Sequence, residues 1–186
     1  MRYFCNMQQK IVLIGGPGTG KSTVLHELEN RGFYCFPEVS REVTLQAQKK
    51  GVEQLFLTDP LLFSKMLLAG REKQFLQATK RKENLVFLDR GIPDVYAYLE
   101  YFKTPYPDYF IKKSKQYRYD KIFLFSPWKE IFISDNERYE NFKQSKEIFT
   151  FLVKAYQEIG YHLIEVPFGS VKDRTDFILN TIETDL

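Results

Sequence analysis

The chain has 186 residues and 44% hydrophobic content, enough for one domain with a sizeable core. Its 27 Lys and Arg against 24 Asp and Glu leave a net charge of +3, too small and too scattered for nucleic-acid binding. No apolar run reaches the ~18 residues of a membrane span; Cys5 and Cys35 lack metal or redox spacing, and the opening residues lack a signal-peptide core, so a reduced cytosolic protein is expected.

The first predicted strand is the apolar run 11–14, and it ends in Gly15-Gly16-Pro17-Gly18-Thr19-Gly20-Lys21-Ser22-Thr23. Gly15, Gly20, Lys21 and Ser22 satisfy the pattern G-x-x-x-x-G-K-S/T, between a strand-like run and a helical one. Gly15, Gly18 and Gly20 let the backbone curl so that successive N–H groups converge on phosphate oxygens. Lys21 reaches the β- and γ-phosphates, Ser22 offers a hydroxyl to Mg²⁺, and the following helix directs its positive end at the anion. Gly15, Pro17, Gly18, Thr19, Gly20, Lys21, Ser22 and Thr23 are therefore the predicted nucleotide-binding residues. The sequence predicts a nucleoside triphosphate site.

Val24, Leu25 and Leu28 recur at helical spacing over 21–31, and Gly32 stops that helix. A short aromatic strand is expected over 33–36 and a helix over 38–50. Asp59-Pro60 is a helix-start signal, with the helix running towards residue 82. Its buried side would carry Leu62, Phe63, Met66, Leu67 and Phe75, and Lys80, Arg81 and Lys82 would sit in its last turn. Strands are predicted at 85–88, 122–125 and 163–166, and helices at 93–102, 143–159 and 170–184, with a short helix capped by Asp108 reaching about residue 116. Residues 128–141 read as a polar surface excursion. Short apolar runs alternating with helices call for a parallel sheet covered on both faces, an α/β fold.

In such a sheet, ligands gather beyond the carboxyl ends of the strands. Asp89 stands there, where a carboxylate holds Mg²⁺ directly or through water. Arg90 follows, where a hydrolytic ATPase would place Glu; a guanidinium cannot take a proton from water but can bind phosphate, which favours a transferase. Glu38 closes the second strand, as a base or an orienting group for an acceptor hydroxyl, or else as an ordinary i,i+3 partner of Arg41. Asp94 opens the next helix, either as a dipole partner or as an acceptor for substrate hydroxyls. Arg138, in Asp135-Asn136-Glu137-Arg138, is either a lid arginine that closes over the phosphates or part of a solvated charge run. His26 and His162 are isolated, and the tyrosines over 96–119 suit a core as well as a planar ligand.

The segments 15–23, 37–41 and 88–91 with Asp94, and 135–138, resemble the AAA-domain P-loop family that includes the ribosylnicotinamide-kinase half of bacterial NAD-biosynthesis regulators. They are similar, more distantly, to the deoxynucleoside kinases and thymidylate kinase. The resemblance spans most of the chain. It implies a single three-layer P-loop NTPase domain over 1–186, with a five-stranded parallel sheet of order 2-3-1-4-5 and an arginine-bearing lid at about 128–142. It also implies that Glu38 is the base, that Asp89-Arg90 is the acidic-Arg pair after strand three, and that residues 167–174 lie against the purine base. Arg174 joins the nucleotide-binding set on that ground. Gly91 stands where those kinases have Ser, and the lid reads Asp-Asn-Glu-Arg in place of Asp-Gly-x-Arg.

Two functions fit these residues. One is a kinase using ATP or GTP with Mg²⁺, phosphorylating a hydroxyl of a small molecule such as a nucleoside or ribosyl compound. Lys21 and the loop amides then hold the phosphates, Ser22 and Asp89 the metal, and Glu38 the acceptor hydroxyl, while Arg41, Arg90 and Arg138 offset charge. The other is a nucleotide-state switch without a small-molecule acceptor, although the chain has no Asn-Lys-x-Asp motif of small GTPases.

Overall fold

A computed structural model of the chain describes residues 8–49, 51–52, 54–132 and 141–184. Five strands, β1 (Gln9–Gly15), β2 (Tyr34–Phe36), β3 (Leu85–Asp89), β4 (Lys121–Phe125) and β5 (Leu163–Val166), form one all-parallel sheet of order β2-β3-β1-β4-β5. The helices are α1 (Lys21–Asn30), α2 (Val39–Lys49), α3 (Leu55–Thr58), α4 (Pro60–Thr79), α5 (Pro93–Tyr101), α6 (Tyr109–Gln116), α7 (Phe142–Glu158) and α8 (Val171–Thr184). The doubly covered parallel sheet is the one expected from the sequence pattern, and the strand order is the one that the family resemblance implies.

Both faces of the sheet are covered, which is why β1, β3 and β4 carry unbroken apolar runs. Side chains alternate along a strand, so neighbouring residues enter different cores. Ile11, Leu13, Phe87 and Phe123 pack with Val24, Leu25 and Leu28 of α1 and Ile178 and Ile182 of α8. Val12, Ile14, Leu88 and Ile122 pack instead with α2, α4, α5 and α7, through residues such as Val43, Leu68, Val95 and Leu152. Each fully buried aliphatic side chain contributes about 1.5–3 kcal/mol of hydrophobic stabilisation. These two cores fix the sheet edge from which the polar loops project.

Local signals explain most boundaries. The Asp59 side chain accepts from the Leu62 N–H at 2.9 Å and starts α4, with Pro60 in its first turn. Asn141 and Gln144 form a reciprocal capping box at the head of α7. Several details differ from the sequence reading. Asp108 precedes α6 but makes no capping bond. Helix α4 ends at Thr79, so Arg81 lies beyond it, stacked over the Tyr34 ring and paired with Glu83. Leu62 is exposed, because the buried stripe of α4 runs through Ser64, Leu67, Leu68 and Arg71. The one-turn α3 was not foreseen. Among the described residues no helix is long and apolar enough to cross a membrane.

Candidate active site

The loop between β1 and α1 is the centre of the site. Gly18 and Gly20 hold φ of +73° and +83°, left-handed values that a side chain disfavours. Lys21 is buried at the start of α1, and its Nζ donates to the carbonyls of Gly15 at 2.9 Å and Gly16 at 2.8 Å. Burial lowers its pKa to about 8; Arg90 adds to the effect, and Asp89, Glu38 and Asp94 oppose it. That last set shows which side chains share its electrostatic environment. Ser22 is exposed on the first turn of α1, and the Thr23 hydroxyl donates to Gly20 O at 2.8 Å.

Asp89 ends β3 beside β1, with Leu13 as its register partner. It is buried and its Oδ1 has no hydrogen-bond partner. Burial, reinforced by Glu38, pushes its pKa up to about 6. A buried carboxylate oxygen left unsatisfied needs an explanation, and a hard cation supplies one. Among the described residues no cluster of three or more His, Cys, Asp or Glu forms a metal cage. Magnesium asks for none, since it takes one or two protein oxygens, keeps several waters and shares the phosphates. Asp89 with Ser22 therefore fits that ion.

Beyond Asp89 the backbone turns sharply. Arg90 has φ +70°, and its N–H donates to Leu13 O at 3.0 Å. This strained conformation directs the guanidinium across the site. Its Nε donates to Glu38 Oε2, and its Nη1 donates to Gly15 O at 3.2 Å and to Asp94 Oδ1 at 3.3 Å. The other Glu38 oxygen accepts from Arg71 Nη2 at 3.1 Å. Burial alone would raise the Glu38 pKa, but Arg90, Arg71 and Lys21 outweigh it and hold the carboxyl below its usual range. Glu38 thus pairs with two arginines distant in sequence; Arg41 is exposed on α2 and is not its ion-pair partner.

Asp94 is fully buried. Its Oδ2 accepts from the Gly91 N–H at 2.9 Å and from the Tyr156 hydroxyl at 2.6 Å, leaving Oδ1 for Arg90. The first of those bonds is local, to the backbone N–H three residues earlier, ahead of α5. A Cβ at Gly91 would overlap the Tyr156 hydroxyl, so the missing Ser at this position has a steric cause.

On the far side of the loop, Arg174 is buried and donates from Nη1 to Thr19 O at 3.2 Å. Its guanidinium lies 5.7 Å from the Trp128 ring centroid, and burial lowers its pKa. Trp128 stacks on Phe168 at 4.9 Å, and these side chains line a small pocket with Thr19, Phe125 and Pro167. The expected polar excursion therefore begins as an aromatic wall. The Ser145 hydroxyl on α7 donates to Pro17 O at 2.8 Å, bracing the loop from the other core. Arg138 and its neighbours Asp135, Asn136 and Glu137 lie outside the described residues.

The structure thus gathers Lys21, Glu38, Asp89, Arg90 and Asp94 around one loop, with Arg174 beside it. Sequence reasoning missed Arg71, Trp128 and Tyr156. For Arg71 a signal existed: it falls four residues after Leu67 and four before Phe75, on the apolar stripe of α4.

Residues 10–174 match the family described as an AAA domain. The chain belongs to the AAA-domain family. The comparison with curated proteins gives no match. Among solved structures, this AAA-domain protein is similar to thymidylate kinase from Candida albicans, with 17% identity and a TM-score of 0.71 over 96% of this chain and 92% of that one. It is also similar to deoxyadenosine kinase from M. mycoides with bound dCTP, at 18% identity and a TM-score of 0.66, covering 95% and 100%. A third likeness is to NadR protein in complex with NR, at 16% identity and a TM-score of 0.71; the AAA-domain chain is covered over 96% but spans only 50% of that one. At such identities the likenesses establish a P-loop kinase-type fold for the AAA-domain protein.

Proposed function

We propose that the protein is a kinase that transfers the γ-phosphoryl group of ATP or GTP to a hydroxyl of a small molecule, a nucleoside or ribosyl compound. The observation that carries this reading is the Arg90 bridge. One guanidinium touches both the carbonyl of Gly15, in the phosphate loop, and the carboxylate of Glu38, so an acceptor held by Glu38 stands next to the loop.

The loop amides bind the phosphates, and Lys21 exchanges its bonds to the Gly15 and Gly16 carbonyls for phosphate oxygens. Ser22 and Asp89 would hold Mg²⁺, which neutralises charge on the β- and γ-phosphates. The base would lie against the wall of Trp128, Phe168, Pro167 and Arg174, where aromatic faces and a cation suit a purine. Glu38 receives the hydrogen bond of the acceptor hydroxyl and fixes its line of approach. Because phosphoryl transfer is largely dissociative, such positioning counts for more than early proton removal. A carboxyl held below its usual pKa suits the orienting role better than that of a strong base. Asp94 serves through Arg90, and Arg41 contacts the acceptor from the exposed face of α2 while Arg138 neutralises the transferring group.

The test is incubation of the purified protein with Mg²⁺, γ-labelled ATP and a panel of nucleosides and ribosides. Labelled acceptor is expected. Lys21→Ala should abolish its formation, and Glu38→Gln should slow it by about 10²-fold. Equal ATP loss with and without every acceptor would instead favour a nucleotide-state switch.

A further inference from the structure

Among the described residues, Arg71 is the one charged group in contact with Glu38 that neither the phosphate loop nor the Asp89-Arg90 turn supplies. It comes from the middle of α4, is 3% exposed, and uses two nitrogens of its fork on different elements. Nη1 donates to the Gly91 carbonyl at 2.9 Å and Nη2 to Glu38 Oε1 at 3.1 Å. Arg90 takes the opposite Glu38 oxygen. The carboxylate is thus gripped at both oxygens, and Arg71 ties it to the turn that carries Asp89 and Arg90. We propose that Arg71 is a positioning residue, which fixes the Glu38 carboxylate in one orientation beside Arg90 and so sets the geometry in which an acceptor hydroxyl is received.

This inference rests on the acceptor-orienting reading of Glu38. A purely structural role explains Arg71 less well. Its Nε–H is buried without an acceptor, and a buried ion pair that leaves a donor unsatisfied is a weak source of stability compared with an apolar side chain of similar volume. A planar fork that bridges a backbone carbonyl and a carboxylate oxygen gives direction as well as charge. The charged groups around Glu38 are Arg71 from α4, Arg90 and Asp89 from the end of β3, and Lys21 from α1; Asp94 of α5 and Tyr156 of α7 act on Arg71. Arg71, Arg90 and Lys21 all favour the ionised carboxylate, and Asp89 opposes it. Removing Arg71 therefore moves the Glu38 titration to higher pH.

The experiment follows the carboxyl ¹³C signal of Glu38 by NMR as a function of pH, assigned by its loss in Glu38→Gln. In Arg71→Met and Arg71→Gln the midpoint should rise by about one pH unit or more. In Arg71→Lys, which restores charge but not the fork, the midpoint should move less while the chemical shift still changes. With a nucleoside accepted by the wild type, the neutral variants should lose at least about tenfold in kcat, with KM for ATP within twofold, and their acid limb should follow the new midpoint. A Glu38 midpoint equal to wild type in a folded neutral variant overturns the proposal. Should neither neutral variant fold, a wild-type shift and midpoint in Arg71→Lys overturns it. The NMR arm needs no acceptor: if the midpoint moves but Glu38→Gln leaves transfer unchanged, Arg71 still holds Glu38, and it is the orienting role of Glu38 that falls.

Discussion

Gly91 shows how one side chain's absence shapes the site. Its neighbour Arg90 carries a positive φ, and the turn between them brings the Gly91 N–H to Asp94 and the Gly91 carbonyl to Arg71. The Tyr156 hydroxyl fills the space where a Cβ would stand and donates to Asp94 at the same time. Gly91→Ser should therefore destabilise the protein by about 1–3 kcal/mol through overpacking, read from urea denaturation. Tyr156→Phe removes the obstructing oxygen, so the cost of Gly91→Ser should fall by about 1 kcal/mol or more in that background. Additive costs in the double variant would show that the clash is relieved elsewhere. The glycine was visible in the sequence as a departure from the kinase pattern, but its cause was not, because Tyr156 lies 65 residues further along the chain.

Among the elements, the two aspartates that precede helices separate a cap from a coincidence. Asp59 bonds to the Leu62 N–H, whereas Asp108 precedes α6 in a helical backbone conformation and leaves its side chain out of the cap. Asp59→Ala should cost about 1 kcal/mol, and Asp108→Ala should stay within about 0.5 kcal/mol of wild type. Thermal melts resolve the difference, at about 2–4 °C per kcal/mol for a chain of this size. Equal effects would contradict the capping assignment. Elements of this kind were largely legible. Apolar runs such as 11–14 and 122–125, short and bounded by turn residues, suit a doubly covered sheet, and Gly32 and Gly160 sit just past α1 and α7 at φ +88° and +81°. What escaped was governed by packing between elements. Leu62 is exposed and Arg71 buried on one helix, and helical spacing does not show which groups Arg71 meets, the Glu38 carboxylate and the Gly91 carbonyl.

Across the whole molecule, the site is a charge-balanced assembly at one edge of the sheet. Lys21, Arg71 and Arg90 are matched there by Glu38, Asp89 and Asp94, all of them largely shielded from water. The phosphate loop, Asp89 and Glu38 were readable in advance because each follows directly from the order of strands and turns. Arg71, Tyr156 and the Trp128–Phe168 wall were not, since each reaches the site from an element whose own sequence carries no phosphate-binding pattern. The most direct measurement is ³¹P NMR of a reaction containing the protein, Mg²⁺, ATP and a pool of nucleosides and ribosides. The account predicts a growing phosphomonoester resonance alongside ADP, slowed about 10²-fold with Glu38→Gln and absent with Lys21→Ala. Orthophosphate as the sole new signal, formed at the same rate when the pool is left out, would contradict it.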